Sequence, residues 1–143
     1  MRLLAEDIAD LDVIAAAAQD ALVRVGDLTF DKKARRFSAL LNRFRWEKAD
    51  GHGPYERIRA GLAFEGVLSV KSRKIRTDAP DAFASLLSLK FIPAEEPPAG
   101  VVRLIFAGDG EIMLDVECLD VVLADVGDPW PTPRRPDHEK AQA

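Results

Sequence analysis

The sequence predicts a mainly β domain of the α+β class, with an N-terminal helix packed on an antiparallel, barrel-like or rolled sheet of about seven strands. Hydrophobic residues make up 48% and charged residues 31% of the 143 residues, the balance of a chain that buries a core. Helical periodicity is confined to the N-terminal region, and short segments of β-favouring residues separated by turn residues follow it. Helices and strands do not alternate along the chain, which disfavours parallel βαβ architectures.

The elements follow from periodicity and turn chemistry. Residues 9–22 carry apolar side chains at three- and four-residue spacings, which predicts a helix with Asp10 as its N-cap. Extended segments are then predicted at 23–25, 28–30, 36–46, 57–75, 83–92, 101–106 and 111–123. Gly66 is expected to bend the longest of these segments. The clearest hairpin turn is expected at Gly108-Asp109-Gly110.

The composition changes near the C-terminus. We expect a single globular domain over residues 1–127 and a Pro-rich C-terminal tail over residues 128–143. The prolines of the tail favour an extended, polyproline-like form. Trp130 is expected to be buried as a strap that holds the tail on the domain. Alternatively, the segment Pro133-Arg134-Arg135-Pro136 has the spacing of a proline-rich ligand for an aromatic groove on a partner.

Cellular location is indicated by the N-terminus and by cysteine usage. No apolar run approaches the ~20 residues that span a bilayer, and Glu6 and Asp7 interrupt the start before a signal-peptide segment forms. The single cysteine, Cys118, cannot form an internal disulfide, which favours a reducing compartment. Because it continues the apolar face of a predicted strand, its thiol is expected to be buried and unreactive. We therefore expect a cytoplasmic protein with no membrane partner.

Catalytic motifs fail at specific positions. Val67 stands where a phosphate-binding loop that begins at Gly61 needs its lysine. Met113 replaces the third glycine of a dinucleotide fingerprint, and Gln142 occupies the second histidine position of a zinc-protease pattern that begins at His138. His52 is more typical of a loop residue than of a ligand. We predict no catalytic residues and no cofactor, and the sequence favours a protein that is not an enzyme.

Charge is distributed unevenly along the chain. Residues 1–23 hold one basic and five acidic side chains, residues 24–76 hold 14 and 6, and residues 77–143 hold 5 and 13, giving net charges of −4, +8 and −8. The basic segment 43–76 predicts a patch for phosphate groups of RNA or another polyanion. Its candidate anion-binding residues are Arg43, Arg45, Arg57, Arg59, Lys71, Arg73, Lys74 and Arg76, and its candidate base-stacking residues are Phe44, Trp46 and Tyr55.

Two further interpretations concern the acidic strand 109–125. In an antiparallel sheet its carboxylates, such as Asp115, Glu117 and Asp120, are expected to pair with the basic strands and to leave no free patch. Carboxylates two residues apart on a strand share a face, so Asp115 and Glu117 are also candidate ligands for Mg²⁺ or Ca²⁺. No Asp-x-Asp-x-Asp-Gly loop accompanies them, and any solvated strand face shows the same alternation, so no metal centre is predicted.

Several stretches together resemble an uncharacterised proteobacterial family, common in alphaproteobacteria, that is catalogued as domain of unknown function 2948. The resemblance runs from Leu3 to about Glu139, and it is carried by Gln19-Asp20-Ala21, Arg36-Phe37, Asn42-Arg43-Phe44, Trp46-Glu47, Val70-Lys71-Ser72-Arg73 and Leu114-Asp115-Val116-Glu117-Cys118. It implies a small single-domain cytoplasmic protein. The family supplies no activity, cofactor or catalytic residue to carry over.

Three functional hypotheses follow. The first is a non-catalytic binding or protein-interaction module that self-associates or meets a protein partner through its oppositely charged faces. The second is RNA or polyanion binding through the basic segment 43–76. The third is a metal-dependent enzyme that uses the acidic strand 109–125.

Overall fold

The computed structural model describes residues 1–49, 54–133 and 135–136, and within them one α-helix and a single antiparallel sheet of ten strands. The helix α1 spans Ile8–Ala18. The strands are β1 Arg2–Ala5, β2 Ala21–Arg24, β3 Thr29–Asp31, β4 Arg36–Phe44, β5 Tyr55–Glu65, β6 Val67–Arg73, β7 Phe83–Pro93, β8 Gly100–Phe106, β9 Glu111–Val116 and β10 Val121–Thr132. The mainly β class with one N-terminal helix is confirmed.

Some predicted features lie outside the described residues. They are the loop residues Gly51, His52 and Gly53, Arg134 of the proline-rich motif, and the tail from Asp137 onward with His138. Within the described residues, no helix is both long enough and apolar enough to cross a membrane.

The sheet is rolled but not closed into a barrel. Its strand order is β1-β10-β5-β4-β2-β7-β8-β9-β6, and β3 pairs with β4 off this path. Strands β5 and β6 are far apart in this order yet are joined through Gly66, whose φ is +68°. The sheet therefore curves until its β6 end returns towards β5. Here the carbonyl of Gly66 accepts a hydrogen bond from the Glu117 amide at 2.9 Å.

The predicted number of about seven strands is too low, for three local reasons. Strand β1 has only four residues and lies before the helix, where no alternating pattern marks it. The segment predicted at 57–75 is divided at Gly66 into β5 and β6. The segment predicted at 111–123 is divided by the turn between Val116 and Val121. Cys118 lies in this turn and is half-buried, so it does not continue the buried face of a strand.

The core lies on the inner face of the curved sheet, where α1 packs against β1, β4 and β7. Leu11, Ile14 and Ala18 are the buried helix residues, as their spacing predicts. The N-cap is Asp7 rather than Asp10, because the helix begins earlier and the Asp7 Oδ1 accepts from the Asp10 amide at 2.8 Å. The helix ends before Asp20, whose φ of 62° directs the chain into β2.

The proline-containing segment after Gly127 differs from the expected tail, because β10 continues to Thr132. Trp130 lies opposite Arg57 of β5, after a register shift that follows Val126. Strand β1 covers the other side of β10 only as far as Ala124, so the prolines sit on a free strand edge, where no ladder hydrogen bond is needed. Trp130 is 38% exposed, so more than half of its surface is covered, but it lies within strand β10 rather than in a separate tail.

Candidate functional site

The eight cationic side chains that the sequence predicts as an anion site lie in separate parts of the fold. Arg43 lies on the inner face of β4 and has no exposed surface. Arg45, Arg57 and Arg59 lie near the end of β4 and the start of β5. The remaining four lie in β6 or in the turn after it, at the opposite end of the strand order from β1: Lys71, Arg73, Lys74 and Arg76. The structure therefore does not bring all eight together.

Arg43 is held by two carboxylates at the end of the core. Its Nε and Nη2 donate to the two carboxylate oxygens of Asp125 at 2.7 and 2.8 Å. Its Nη1 and Nη2 donate to the two oxygens of Glu47 at 3.0 and 2.7 Å. The amino terminus of Met1 lies 3.5 Å from Asp125. Both carboxylates are bound in the bidentate geometry that gives arginine its strongest ion pairs. Arg43 therefore connects β4 to Asp125 of β10 and to Glu47, which follows β4.

The charges of this cluster stabilise one another. The hydrogen bond from Arg43 lowers the pKa of Glu47 from 4.5 to about 2, against the opposing effect of burial. Burial raises the pKa of Asp125, but the hydrogen bond and charge of Arg43 outweigh it, and the net shift is downward. All three groups therefore stay charged at neutral pH. We name Arg43, Asp125 and Glu47 the buried ion cluster.

The three aromatic residues predicted to stack on bases do form one cluster. The ring of Phe44 lies 4.6 Å from that of Trp46 and 5.8 Å from that of Tyr55, measured between centroids. Phe44 is completely buried, and the Trp46 indole N–H donates to the carbonyl of Gln19 at 3.0 Å. The guanidinium carbon of Arg135 lies 5.3 Å from the centroid of the Trp46 ring. These contacts give the rings a packing role at the junction of β4, β5 and the end of α1.

Most of the other predicted cations pair with carboxylates. The shortest nitrogen–oxygen distances are 2.9 Å for Arg45–Glu56, 3.6 Å for Arg59–Asp27, 3.2 Å for Arg73–Glu111 and 3.9 Å for Lys74–Asp109. Arg57 instead donates to the carbonyl of Asn42 at 2.9 Å. Lys71 and Arg76 form no ion pair with any described residue. Pairing between the basic and acidic segments is thus observed, and Glu117, one of the three carboxylates that the sequence suggests, takes part in it through Arg35.

The candidate metal ligands are engaged by protein groups. The Ser69 hydroxyl donates to Asp115 at 2.6 Å, and Glu117 forms an ion pair with Arg35. Across the part of the chain that the structure describes, no group of three or more His, Cys, Asp or Glu side chains is placed to hold a metal ion. Asp115 and Glu117 therefore remain candidate ligands from the sequence alone.

Sequence reasoning missed an apolar surface on the outer side of the sheet. It is formed by outward-facing residues of β1, β10, β5 and β4 that lie in register. One row is Leu4, Val122, Ala63 and Ser38, the next is Arg2, Ala124, Gly61 and Leu40, and Val126 lies at one end beside Arg59. We name the apolar members of these rows the apolar face: Leu4, Val122, Ala63, Ala124, Gly61, Leu40 and Val126. Leu4 is 62% exposed, Val126 45% and Leu40 39%. The inward-facing apolar neighbours in the same strands are buried, or partly buried in the case of Leu3, so this is the solvent side of the sheet.

The centre of the apolar face is a shallow depression of about 380 Å³. It exists because the central residues are small: Gly61, Ala63 and Ala124 lie between the larger Leu40 and Val126. A Cβ atom added at Gly61 would meet no atom within 4 Å. The hydrophobicity of these small residues is too low to mark an outer surface in the sequence. Only the register of four strands reveals that they adjoin.

Comparison with known proteins gives one positive result. A search of curated proteins finds no match to the chain. The model of the family described as "Protein of unknown function (DUF2948)" matches residues 1–138. The family predicted from the sequence is thereby confirmed, and it brings no assigned activity with it. The chain belongs to the DUF2948 family of proteins of unknown function.

Proposed function

We propose that this protein is a non-catalytic protein-interaction module that binds a second copy of itself through the apolar face. The observation that carries the proposal is the solvent exposure of an apolar, in-register surface across four strands, with Leu4, Leu40 and Val126 all more than a third exposed. Contiguous exposed apolar patches on soluble domains mark interaction sites more often than single exposed residues do.

The size of the face suits the core of an interface. With strands about 4.8 Å apart and alternate residues about 6.8 Å apart, each position covers about 33 Å², so the seven residues of the apolar face cover roughly 230 Å². The face is therefore the centre of an interface rather than the whole of it, since the largest apolar patch of a typical monomer is about 300–600 Å². A stable interface buries about 800 Å² on each partner, and its polar rim supplies the remainder.

The charge pattern of the face favours a second copy as the occupant. In a two-fold symmetric dimer the same patch faces itself, so a patch of uniform charge would repel its partner. Asp27 is the one charged residue among the described residues that line the depression, and it pairs with Arg59 at 3.6 Å. The depression itself therefore presents no unbalanced charge. Its small central residues let two sheets approach closely face to face.

The other functional hypotheses have less support at this face. A cytoplasmic setting fits the proposal, since Cys118 is a free thiol. The metal-dependent enzyme has no supporting cluster within the described residues. Polyanion binding has support on a different surface, the outer side of strands β7, β8, β9 and β6.

The test is the oligomeric state of charge-substituted variants. Leu40→Glu places a carboxylate in the interface, where burial without a partner is costly. Ile92→Glu is the matched control, because Ile92 is 49% exposed and faces outward from β7, outside the apolar face. Light scattering coupled to size-exclusion chromatography is expected to show a dimer for the wild type and for Ile92→Glu, and a monomer for Leu40→Glu.

Circular dichroism of all three proteins checks that they are folded. A wild type that is monomeric at micromolar concentration would overturn the proposal. So would a Leu40→Glu variant that remains as dimeric as the control, because the interface would then lie elsewhere.

A further inference from the structure

A second outward surface, on the other half of the sheet, carries a line of cations. Strands β7, β8, β9 and β6 are adjacent, and their register places Lys90 opposite Arg103, Arg103 opposite Met113, and Met113 opposite Lys71. Arg73 lies two residues beyond Lys71 on the same face of β6, opposite Glu111. We name Lys90, Arg103, Lys71 and Arg73 the basic row. Two of its members come from the basic segment, and two come from the segment whose net charge is −8.

The carboxylates of the fold balance this row only in part. Glu111 is buried to 6% exposure and accepts hydrogen bonds from Arg103 Nε and from Arg73 Nη2. Each guanidinium has five N–H donors, so most of the donors of both arginines remain available. Lys71 and Lys90 are exposed and form no ion pair with any described residue. Asp115, the nearest outward carboxylate on β9, accepts from Ser69 instead.

The arrangement costs stability in the isolated chain. Like charges directly opposite each other on adjacent strands repel, and Lys90 and Arg103 are such a pair. An anionic ligand across the row would relieve this repulsion. A cavity of about 220 Å³ next to the row is lined by Arg73, Arg103 and Glu111, together with the turn at residues 108–110.

We propose that the basic row binds the phosphate backbone of single-stranded nucleic acid. From Lys90 to Lys71 the row crosses three strand spacings, about 14 Å. A single nucleic acid strand carries one charge per phosphate, and the phosphates of an extended strand are about as far apart as alternate residues of a β-strand, so the row faces about three of them. An extended acidic peptide would present its carboxylates at a similar spacing, so the choice of nucleic acid rests on the apolar side chains beside the row, which can contact bases. A duplex presents two charged strands, whereas three of the four cations of the basic row lie in a single line across the strands.

Apolar side chains accompany the row on the same face. Met113 lies within it, and Ile92, which is 49% exposed, lies two residues beyond Lys90. They give the bases of a bound strand an apolar surface without selecting a sequence. This face cannot oppose its own copy, because its net charge is positive. The basic row therefore lies on a different surface from the apolar face, and either binding activity can be absent without the other.

The test measures binding of fluorescent oligouridine of about 12 nucleotides by anisotropy as salt rises from about 50 to 200 mM. With three or four phosphate contacts, the slope of log K against log salt is expected to be about −2 to −3, which weakens binding about 20- to 50-fold over this range. The double variant Lys71→Gln/Lys90→Gln is expected to bind more weakly at every salt concentration. Its slope should be smaller in magnitude by about 1.4.

The matched control is Lys32→Gln/Lys33→Gln, which changes the net charge equally. Both lysines are exposed in the turn between β3 and β4 and form no ion pair with any described residue. The control is expected to bind as the wild type does. Equal losses in the two double variants would overturn the proposal, because binding would then follow net charge alone. Absence of binding at the lowest salt would overturn it as well.

Competition distinguishes the source of the phosphates and the class of partner. Oligodeoxythymidine of the same length is expected to compete comparably with oligouridine, because only the backbone is recognised. Inorganic polyphosphate or oligoglutamate that displaces the oligonucleotide at a lower concentration of charged groups would contradict a nucleic acid partner.

Discussion

The buried ion cluster provides the sharpest test of the fold, through the substitution Arg43→Met. The Arg43 side chain is completely buried and that of Asp125 is 9% exposed, and they share two hydrogen bonds at 2.7 and 2.8 Å. Methionine keeps much of the side-chain volume but removes the charge. Asp125 is then left in the interior with only the amino terminus, at 3.5 Å, as an ionic partner.

The expected loss of stability is determined by the charge of Asp125, which stays in the interior without its arginine partner. Removing one partner of a buried pair typically costs about 3–5 kcal/mol. Glu47, at 41% exposure, can be solvated by water and adds little to the loss. For a chain of this length the loss corresponds to a fall in Tm of about 10–15 °C. Urea unfolding followed by tryptophan fluorescence measures the change in the free energy of unfolding.

Two comparisons make the result interpretable. Arg36→Met removes an arginine from the same strand whose ion pair with Glu65 is largely exposed, so we expect little or no loss of stability. The double variant Arg43→Met/Asp125→Asn removes both charges and should be more stable than Arg43→Met alone. A loss for Arg43→Met no larger than that for Arg36→Met would refute this account. So would strict additivity in the double variant, since it would mean that the two side chains do not interact.

Three further predictions concern pH, the strand junction and the helix. The folded pKa values of Glu47, at about 2, and of Asp125 lie below their unfolded values. The stability that these carboxylates confer is therefore present above about pH 5 and is lost as the pH falls towards 2. The urea midpoint should decline over this range, and it should decline less steeply in Arg43→Met. Gly66→Ala should lower the free energy of unfolding by about 1–2 kcal/mol because of its positive φ alone, since the new Cβ meets Glu117 at an ordinary contact distance of 3.6 Å. Gly61→Ala has open space around it and should be neutral or slightly stabilising in the same unfolding assay. Ile14→Ala should lose about 2–5 kcal/mol because the side chain is fully buried, and a loss below about 1 kcal/mol would show that α1 is not packed as described.

The helix and most strands were predictable because their signals are local. The three- and four-residue spacing of Leu11, Ile14 and Ala18 is a property of 11 consecutive helical residues, and it correctly identifies the face that packs on the sheet. Strand β1 has no such signal, because four residues are too few to show alternation and their strand partner, β10, follows more than 110 residues later. Its existence depends on a long-range pairing that periodicity does not reveal.

The role of Arg43 was not predictable for a related reason. In the sequence it belongs to a basic segment, and its strand shows polar and apolar residues on both faces. Its position on the inner face follows only from the alignment with Phe37, Ala39 and Leu41, all buried. Its partner Asp125 lies 82 positions away. A buried arginine needs a carboxylate partner, and the acidic segment indicates where that partner lies in the sequence. The sequence does not indicate which carboxylate of that segment it is.

The net charge of a segment describes the order of residues along the chain, whereas a binding surface depends on the register of strands. Strands β4 and β5 come from the basic segment, and their pairing with each other and with β10 turns Arg43 inward and leaves a nearly neutral apolar face outside. Strands β7 and β8 come from the acidic segment, yet they bring Lys90 and Arg103 beside Lys71. The segment with the highest positive charge therefore supplies only half of the basic row. The two outer surfaces differ in charge because of this topology, and that difference leads us to propose a second copy for one and a polyanion for the other.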